Sequence, residues 1–334
     1  MEPIFLIAGQ LSREYLLPPT GQALIDAPGG SLLYAAGGLM VWDKNIGLLA
    51  RVGEDYPHPW LRALEKKGLD IRGIKILPQS VDLRSFVAYT DMYERSNASP
   101  FTHFARREMT FPKSLLGYQP ETEHHEDMRQ LNPLQSAASD IPKDYHAARA
   151  VHLCPLDFVN QSQLTLALKG GSIGTLSLDP SPHYLNPRFW RDLRVILQGV
   201  TIFHPSEEEL RNLFWGETHD LWAMAEKLCE YGCEIVVVKR GVQGQLVYDS
   251  KSKRRWEIPA YPSRMADPTG AGDAFCGGYL AGFIKTNDPL EAAFHGSVSA
   301  SLKVEGTGPF YALDVLPGLA EARLSAIRQL ARAV

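Results

Sequence analysis

Compact apolar runs of strand length alternate with amphipathic stretches along most of this chain, and that alternation restricts its fold more than any other feature. PIFLIAG, IGLLARVG, AVHLCP, IGTLSLDP and CEIVVVKRG read as strands, as does the alternating LRSFVAYTDMY. HPWLRALEKKG, QSQLTLALKGG, SEEELRNLFW and DLWAMAEKLCEYG place apolar residues at helical spacing, and Gly68 closes the first of these as a natural C-cap. LLYAAGGLMVW, PLEAAFHGSVSASLKVEG and the tail LAEARLSAIRQLARA also read as helices. GQLVYDSKSKRRWEIPAY reads as two strands around a charged turn. Repeated βα units predict an α/β fold with a mostly parallel sheet and helices on both faces.

The 334 residues are 45% hydrophobic, enough to build one large α/β domain spanning 1–334. A net charge of −4 offers no basic field, so no nucleic acid is expected as partner. MEPIFLIAGQ holds only a short apolar run with no basic stretch ahead of it, and no segment approaches the ~20 apolar residues of a spanning helix. No membrane partner is therefore expected. Cys154, Cys229, Cys233 and Cys276 are scattered and read as core thiols, which predicts a reducing, cytoplasmic setting. Residues 94–145 lack a clear period and read as an insertion. Its ETEHHEDMRQ places His124 and His125 side by side, where they point in different directions, so a solvated loop is expected there rather than a metal site.

Residues 266–283, ADPTGAGDAFCGGYLAGF, set one carboxylate, Asp273, inside a glycine turn. A dinucleotide fingerprint fits poorly, because Phe275 takes the place of its last glycine and the run lies late in the chain. A P-loop would need G-x-x-x-x-G-K-[ST], which occurs nowhere. A third reading is an anion hole with a built-in base. Amides at 270–273 open a helix and face a passing phosphoryl group, while Asp273 takes the proton of an attacking hydroxyl. A plain turn with Asp273 as cap is the remaining alternative.

DPTGAGDAFCGGYLAG resembles the C-terminal signature of the ribokinase-like (PfkB) carbohydrate kinases. The resemblance runs nearly the full length and is looser over 94–145. It implies a ribokinase-like fold, a central mostly parallel sheet flanked by helices, with a small β-lid from about 11–25 and 83–93. It also implies ATP and Mg2+ as cofactors. Asp273 would be the catalytic base, and Gly270, Ala271 and Gly272 would supply anion-hole amides. APGGSLLYAAGG resembles the family's G-G-x-x-x-N-x-A element, so Gly29 and Gly30 would admit a substrate, with Tyr34 replacing the asparagine. AGQLSREYLL places Glu14 where the family often carries an aspartate that binds sugar hydroxyls. FHPSEEEL resembles N-x-x-E, with Ser206 for the asparagine and Glu209 holding magnesium through water. VVVKRGVQGQLVY resembles the nucleotide-side turn, which puts Lys239, Gly241 and Gly244 beside the nucleotide.

The implied activity is transfer of the ATP γ-phosphoryl group to a hydroxyl of a small sugar or sugar derivative. A nucleoside kinase on the same fold and a noncatalytic sugar-binding homologue are the alternatives, and the intact Asp273 argues against the second. A lid-mediated homodimer is compatible with the resemblance. The insertion is expected to extend the lid or to form a subunit contact.

Overall fold

The computed structural model describes residues 3–92, 94–120, 130–169, 173–330 and the backbone of 332–333. In chain order the strands are β1 (Phe5–Ala8), β2 (Ser12–Leu17), β3 (Leu24–Gly29), β4 (Ile46–Gly53), β5 (Asp70–Leu77), β6 (Arg84–Tyr89), β7 (Arg95–Ser96), β8 (Ala150–Leu153), β9 (Thr175–Leu178), β10 (Ile202–Phe203), β11 (Ile235–Lys239), β12 (Gln245–Asp249), β13 (Arg254–Ile258) and β14 (Arg332–Ala333). The helices are α1 (Ser31–Met40), α2 (His58–Lys66), α3 (Pro100–Arg106), α4 (Phe158–Lys169), α5 (Leu193–Leu197), α6 (Glu207–Leu213), α7 (Leu221–Cys229), α8 (Ala271–Thr286), α9 (Pro289–Lys303) and α10 (Leu319–Ile327).

Ten strands form one sheet in the order β14-β13-β12-β11-β10-β9-β8-β1-β4-β5. The run from β11 to β5 is parallel throughout, and β12, β13 and β14 add antiparallel pairs at one edge. Side chains alternate across it. Leu6, Ala8, Val151, Leu153 and Val236 pack on one face with α4 and α7, whereas Phe5, Ile7 and Leu48 pack on the other with α1. Val237, Val247 and Ile258 pack there with α8, α9 and α10. Each such fully buried aliphatic or aromatic side chain contributes about 1.5–3 kcal/mol.

A second, four-stranded sheet runs β3-β2-β6-β7. Tyr15, Leu17, Phe86 and Ala88 project from one of its faces and pack against Phe104 of α3 and Leu115. Part of the insertion thus covers this face. Residues 132–140 instead pack toward the large sheet, where Arg51 of β4 pairs with the buried Asp140 at 2.6 Å. His124 and His125 lie outside the described residues.

The tail departs from expectation. Its helix ends at Ile327, and Arg332–Ala333 pair with β13 instead of continuing the helical pattern. Cys154, Cys229, Cys233 and Cys276 are all free thiols. Among the described residues, no helix is long and apolar enough to cross a membrane.

Candidate active site

Parallel sheets present ligand sites at the carboxyl ends of their strands. Here Gly9 follows β1, Cys154 follows β8, Asp179 follows β9, and Lys239 ends β11. The small sheet stands over these ends and encloses a cleft of about 790 Å³. Glu14, Gly30, Tyr34, Thr269, Gly270 and Asp273 all line it.

The glycine turn opens α8. Asp267 Oδ1 accepts the Thr269 N–H at 2.9 Å, and Gly270 takes φ 71° as N-cap. A Cβ on Gly270 would also lie 2.1 Å from the Tyr34 ring, so both conformation and packing require glycine. Ala271 donates its N–H to Pro268 O at 3.2 Å. Of the three expected anion-hole amides, those of Gly270 and Gly272 therefore keep their N–H groups without a partner among the described residues. Asp273 sits half-buried in the first turn of α8, on the cleft. Burial raises its pKa, while the charges of Lys239 and, to a lesser extent, Arg95 oppose that rise.

Behind the turn, Lys239 Nζ contacts both oxygens of the buried Asp179 at 2.6 Å. Burial pushes Asp179 up to about 7 in spite of that ammonium. Burial is the largest influence on the Lys239 pKa and works to lower it, but the charge and hydrogen bond of Asp179 together with the charges of Cys276 and Glu209 outweigh it and the shift is upward. The same lysine passes 3.8 Å from the place a Cβ would occupy on Gly272. Its neighbour Arg240 turns the other way, to Glu207 and Glu257. Gly241 and Gly244 form the turn to β12, with φ of 54° and 84°.

Glu209 makes a reciprocal cap at the start of α6. Its Oε2 accepts the Ser206 N–H at 2.6 Å, and its own N–H donates to Ser206 Oγ at 3.1 Å. The replacement of asparagine by serine thus preserves a cap. Among the described residues, no group of three or more His, Cys, Asp and Glu side chains could hold a metal. Glu209 and Asp179 are near enough for their charges to interact, and both offer the oxygen ligands that magnesium prefers.

On the acceptor side, Glu14 is 8% exposed and already engaged. Its Oε1 accepts the Gly30 N–H at 2.9 Å and its Oε2 accepts the Tyr34 hydroxyl at 2.8 Å. The carboxylate lies over Gly29, where a Cβ would come within 2.0 Å of Cδ. Gly29 therefore makes room for Glu14 itself, while Gly30 packs against the backbone of Gln10 and Ser12. Burial raises the Glu14 pKa, and the hydrogen bonds from Gly30 and Tyr34 hold that rise back. Lys303 lies 5.3 Å above the Tyr34 ring and pairs with Asp267 at 2.6 Å, with both side chains buried.

Several groups at the site carried no signal in the sequence. Asp179 lies directly after an evident strand, and Asp267 lies inside the glycine motif, but their partners are remote in the chain. The small sheet touches the turn, since the Thr269 hydroxyl donates to the Tyr89 hydroxyl at 3.2 Å and Gly21 N–H donates to Ala266 O at 3.2 Å. Arg95 of β7 and Asn97, Asn132 and Gln135 of the insertion also line the cleft.

Residues 166–315 match the family model described as pfkB family carbohydrate kinase. The cytidine kinase of Thermococcus kodakarensis is 29% identical over 294 residues, covering 86% of this chain and 90% of that protein. An Escherichia coli protein assigned as ribokinase II, solved in complex with ATP and Mg2+, superposes with a TM-score of 0.70 at 22% identity over 98% of this chain and 100% of the other. The Burkholderia thailandensis nucleoside kinase in complex with inosine gives 0.67 at 18% identity, over 97% and 98% of the two chains.

Proposed function

The chain belongs to the PfkB family of carbohydrate kinases, ATP-dependent phosphotransferases, and from that premise we propose that it phosphorylates the primary hydroxyl of a nucleoside. The observation that carries the transfer is Asp273, a carboxylate with a raised pKa in the first turn of α8, on the same cleft as Gly270 with its unpaired amide. In the proposed reaction the acceptor oxygen forms a bond to the γ-phosphorus as its proton passes to Asp273. The bond from phosphorus to the bridging oxygen breaks, and ADP leaves with that electron pair. The Gly270 and Gly272 amides and Lys239 face the charge on the transferred group. A magnesium ion bound with the nucleotide would offset phosphate charge, and Glu209 and Asp179 are the carboxylates that would hold its waters.

The size and lining of the cleft favour a nucleoside over a simple sugar. A volume of about 790 Å³ is generous for a monosaccharide, and its lining includes the amide side chains of Asn97, Asn132 and Gln135. The likeness to a cytidine kinase supports the same reading. We assign the small sheet as the lid that excludes water, with part of the insertion as its outer layer. That layer leaves only the lid's edges for a lid-mediated homodimer. ADP release measured with cytidine, adenosine, ribose and fructose tests the reading. Turnover with a nucleoside is expected, and turnover with fructose alone would return the acceptor to the sugar class.

A further inference from the structure

One wall of the cleft comes from the end of the insertion and is held rigidly from outside it. Asn160 of α4, fully buried, donates Nδ2 to the carbonyls of Asn132, Gln135 and Ser136 at 3.0, 3.4 and 3.2 Å. Its Oδ1 accepts the Asn132 N–H at 2.9 Å. Asp157 adds two bonds, accepting Asn132 Nδ2 at 2.8 Å and donating its own N–H to Gln135 Oε1 at 2.7 Å. The last bond fixes the Gln135 amide. Because Oε1 accepts a backbone N–H, the other arm is the NH2 group. Gln135 is 5% exposed and lines the cleft, and its Nε2 has no partner among the described residues. This donor is held in one orientation, donates to no described residue, and keeps some access to solvent.

We propose that Gln135 is a specificity-determining residue whose Nε2 donates to an acceptor atom on the nucleobase, a carbonyl oxygen or an unprotonated ring nitrogen. The inference rests on the reading of the acceptor as a nucleoside. A base bound over this donor excludes water from it, so a base that offers an acceptor there keeps the donor paired. A base that presents N–H or C–H there does not, and a site of this kind discriminates more sharply than an apolar pocket. The Asp157 and Asn160 clamp positions the group before binding, which limits the ordering cost.

The test compares wild type with Gln135→Glu and Gln135→Leu on cytidine and on methyl β-D-ribofuranoside, which carries the same primary hydroxyl without a base. Gln135→Glu keeps the acceptor for the Asp157 N–H and removes the donor. Both variants are expected to lower kcat/KM for cytidine about tenfold, mostly through KM. The base-free riboside, followed as a competitive Ki where it is not turned over, should change less than about twofold, and KM for ATP should stay the same. An unchanged KM for cytidine overturns the proposal, and so does an equal loss on both acceptors, which would mark Gln135 as structural. A wild-type enzyme that accepts fructose and no nucleoside overturns the nucleoside reading together with this one, and that outcome is visible before any variant is made.

Discussion

The Tyr34 hydroxyl donates to Glu14 Oε2 at 2.8 Å, closing a contact between two side chains that are both under 10% exposed. Burial pushes Glu14 above the usual carboxylate range, and this bond is one of two that restrain it. Tyr34→Phe should therefore raise the Glu14 pKa further and destabilise the fold by about 1.5–3 kcal/mol, the range for a hydrogen bond to a charged group. The pH dependence has a definite sign. A carboxyl with a raised folded pKa lowers stability as pH rises through that value, and the variant deepens this effect. Urea unfolding should show a larger loss at pH 8 than at pH 5, and equal losses would refute the charged state assigned to Glu14.

Asp273→Asn removes the proposed base but keeps shape and most of the polarity. It should lower kcat by ~10²-fold or more and leave ATP binding intact. Burial raises the Asp273 pKa, so the acid limb of kcat/KM should lie above the ordinary carboxylate range. Lys239 opposes that rise, and so, more weakly, does Arg95. Because Arg95 is exposed on the small sheet, Arg95→Gln tests the electrostatics without disturbing the core. Its acid limb should move to higher pH, and a limb left at the wild-type position would show that Arg95 does not act on the base.

Contiguous features were legible in the sequence, and relationships between remote residues were not. β8, β9 and β11 are buried on both faces and read as short, mostly apolar runs, broken in β8 and β9 only by His152, Thr175 and Ser177. β5, DIRGIKIL, escaped notice because it is an edge strand with polar residues on its open side, and β10 has only two residues. The tail pattern is helical past Ile327, but pairing with β13 overrides it. In the site, Asp273 and its glycines sit within one motif. Asp179 and Lys239 are 60 positions apart, and Asp267 and Lys303 are 36 apart. The insertion gave no sign of lining the cleft, because the residues that hold it there, Asp157 and Asn160, belong to the chain after it.

The Lys303–Asp267 pair makes a further prediction. Lys303 Nζ donates to Asp267 Oδ2 at 2.6 Å, to Asp267 O at 3.0 Å and to Gly306 O at 3.3 Å. Both side chains are at most 1% exposed. Lys303→Met would leave Asp267 buried without its counter-ion, which typically costs about 3–5 kcal/mol. The double variant Lys303→Met/Asp267→Asn removes both charges and should recover part of that loss. Asp267 also holds the Thr269 N–H, so kcat should fall in the single variant as the glycine turn loosens. Urea midpoints and kcat for the three proteins check this, and a double variant no more stable than the single would rule out charge burial as the cause.

His152 and His204 both meet the Ser177 hydroxyl, at 2.9 and 3.0 Å, in the interior of the large sheet. Ser177 has one proton to donate, so at most one of the two rings accepts from it and the other must donate. Burial lowers the His152 pKa to about 3 and the His204 pKa well below its ordinary value, and the nearby Lys239 adds to both shifts. Both rings are therefore neutral in the folded protein. The unfolded chain takes up a proton at each near pH 6.5, whereas the folded chain does not. Stability must then fall as pH drops below about 6.5, by up to ~1.4 kcal/mol per pH unit for each histidine. His204→Asn should have a shallower decline than wild type between pH 6.5 and 5, by about one histidine's worth, as followed by urea unfolding. Parallel profiles for the two proteins would show that His204 is protonated in the fold and that its burial does not hold it neutral.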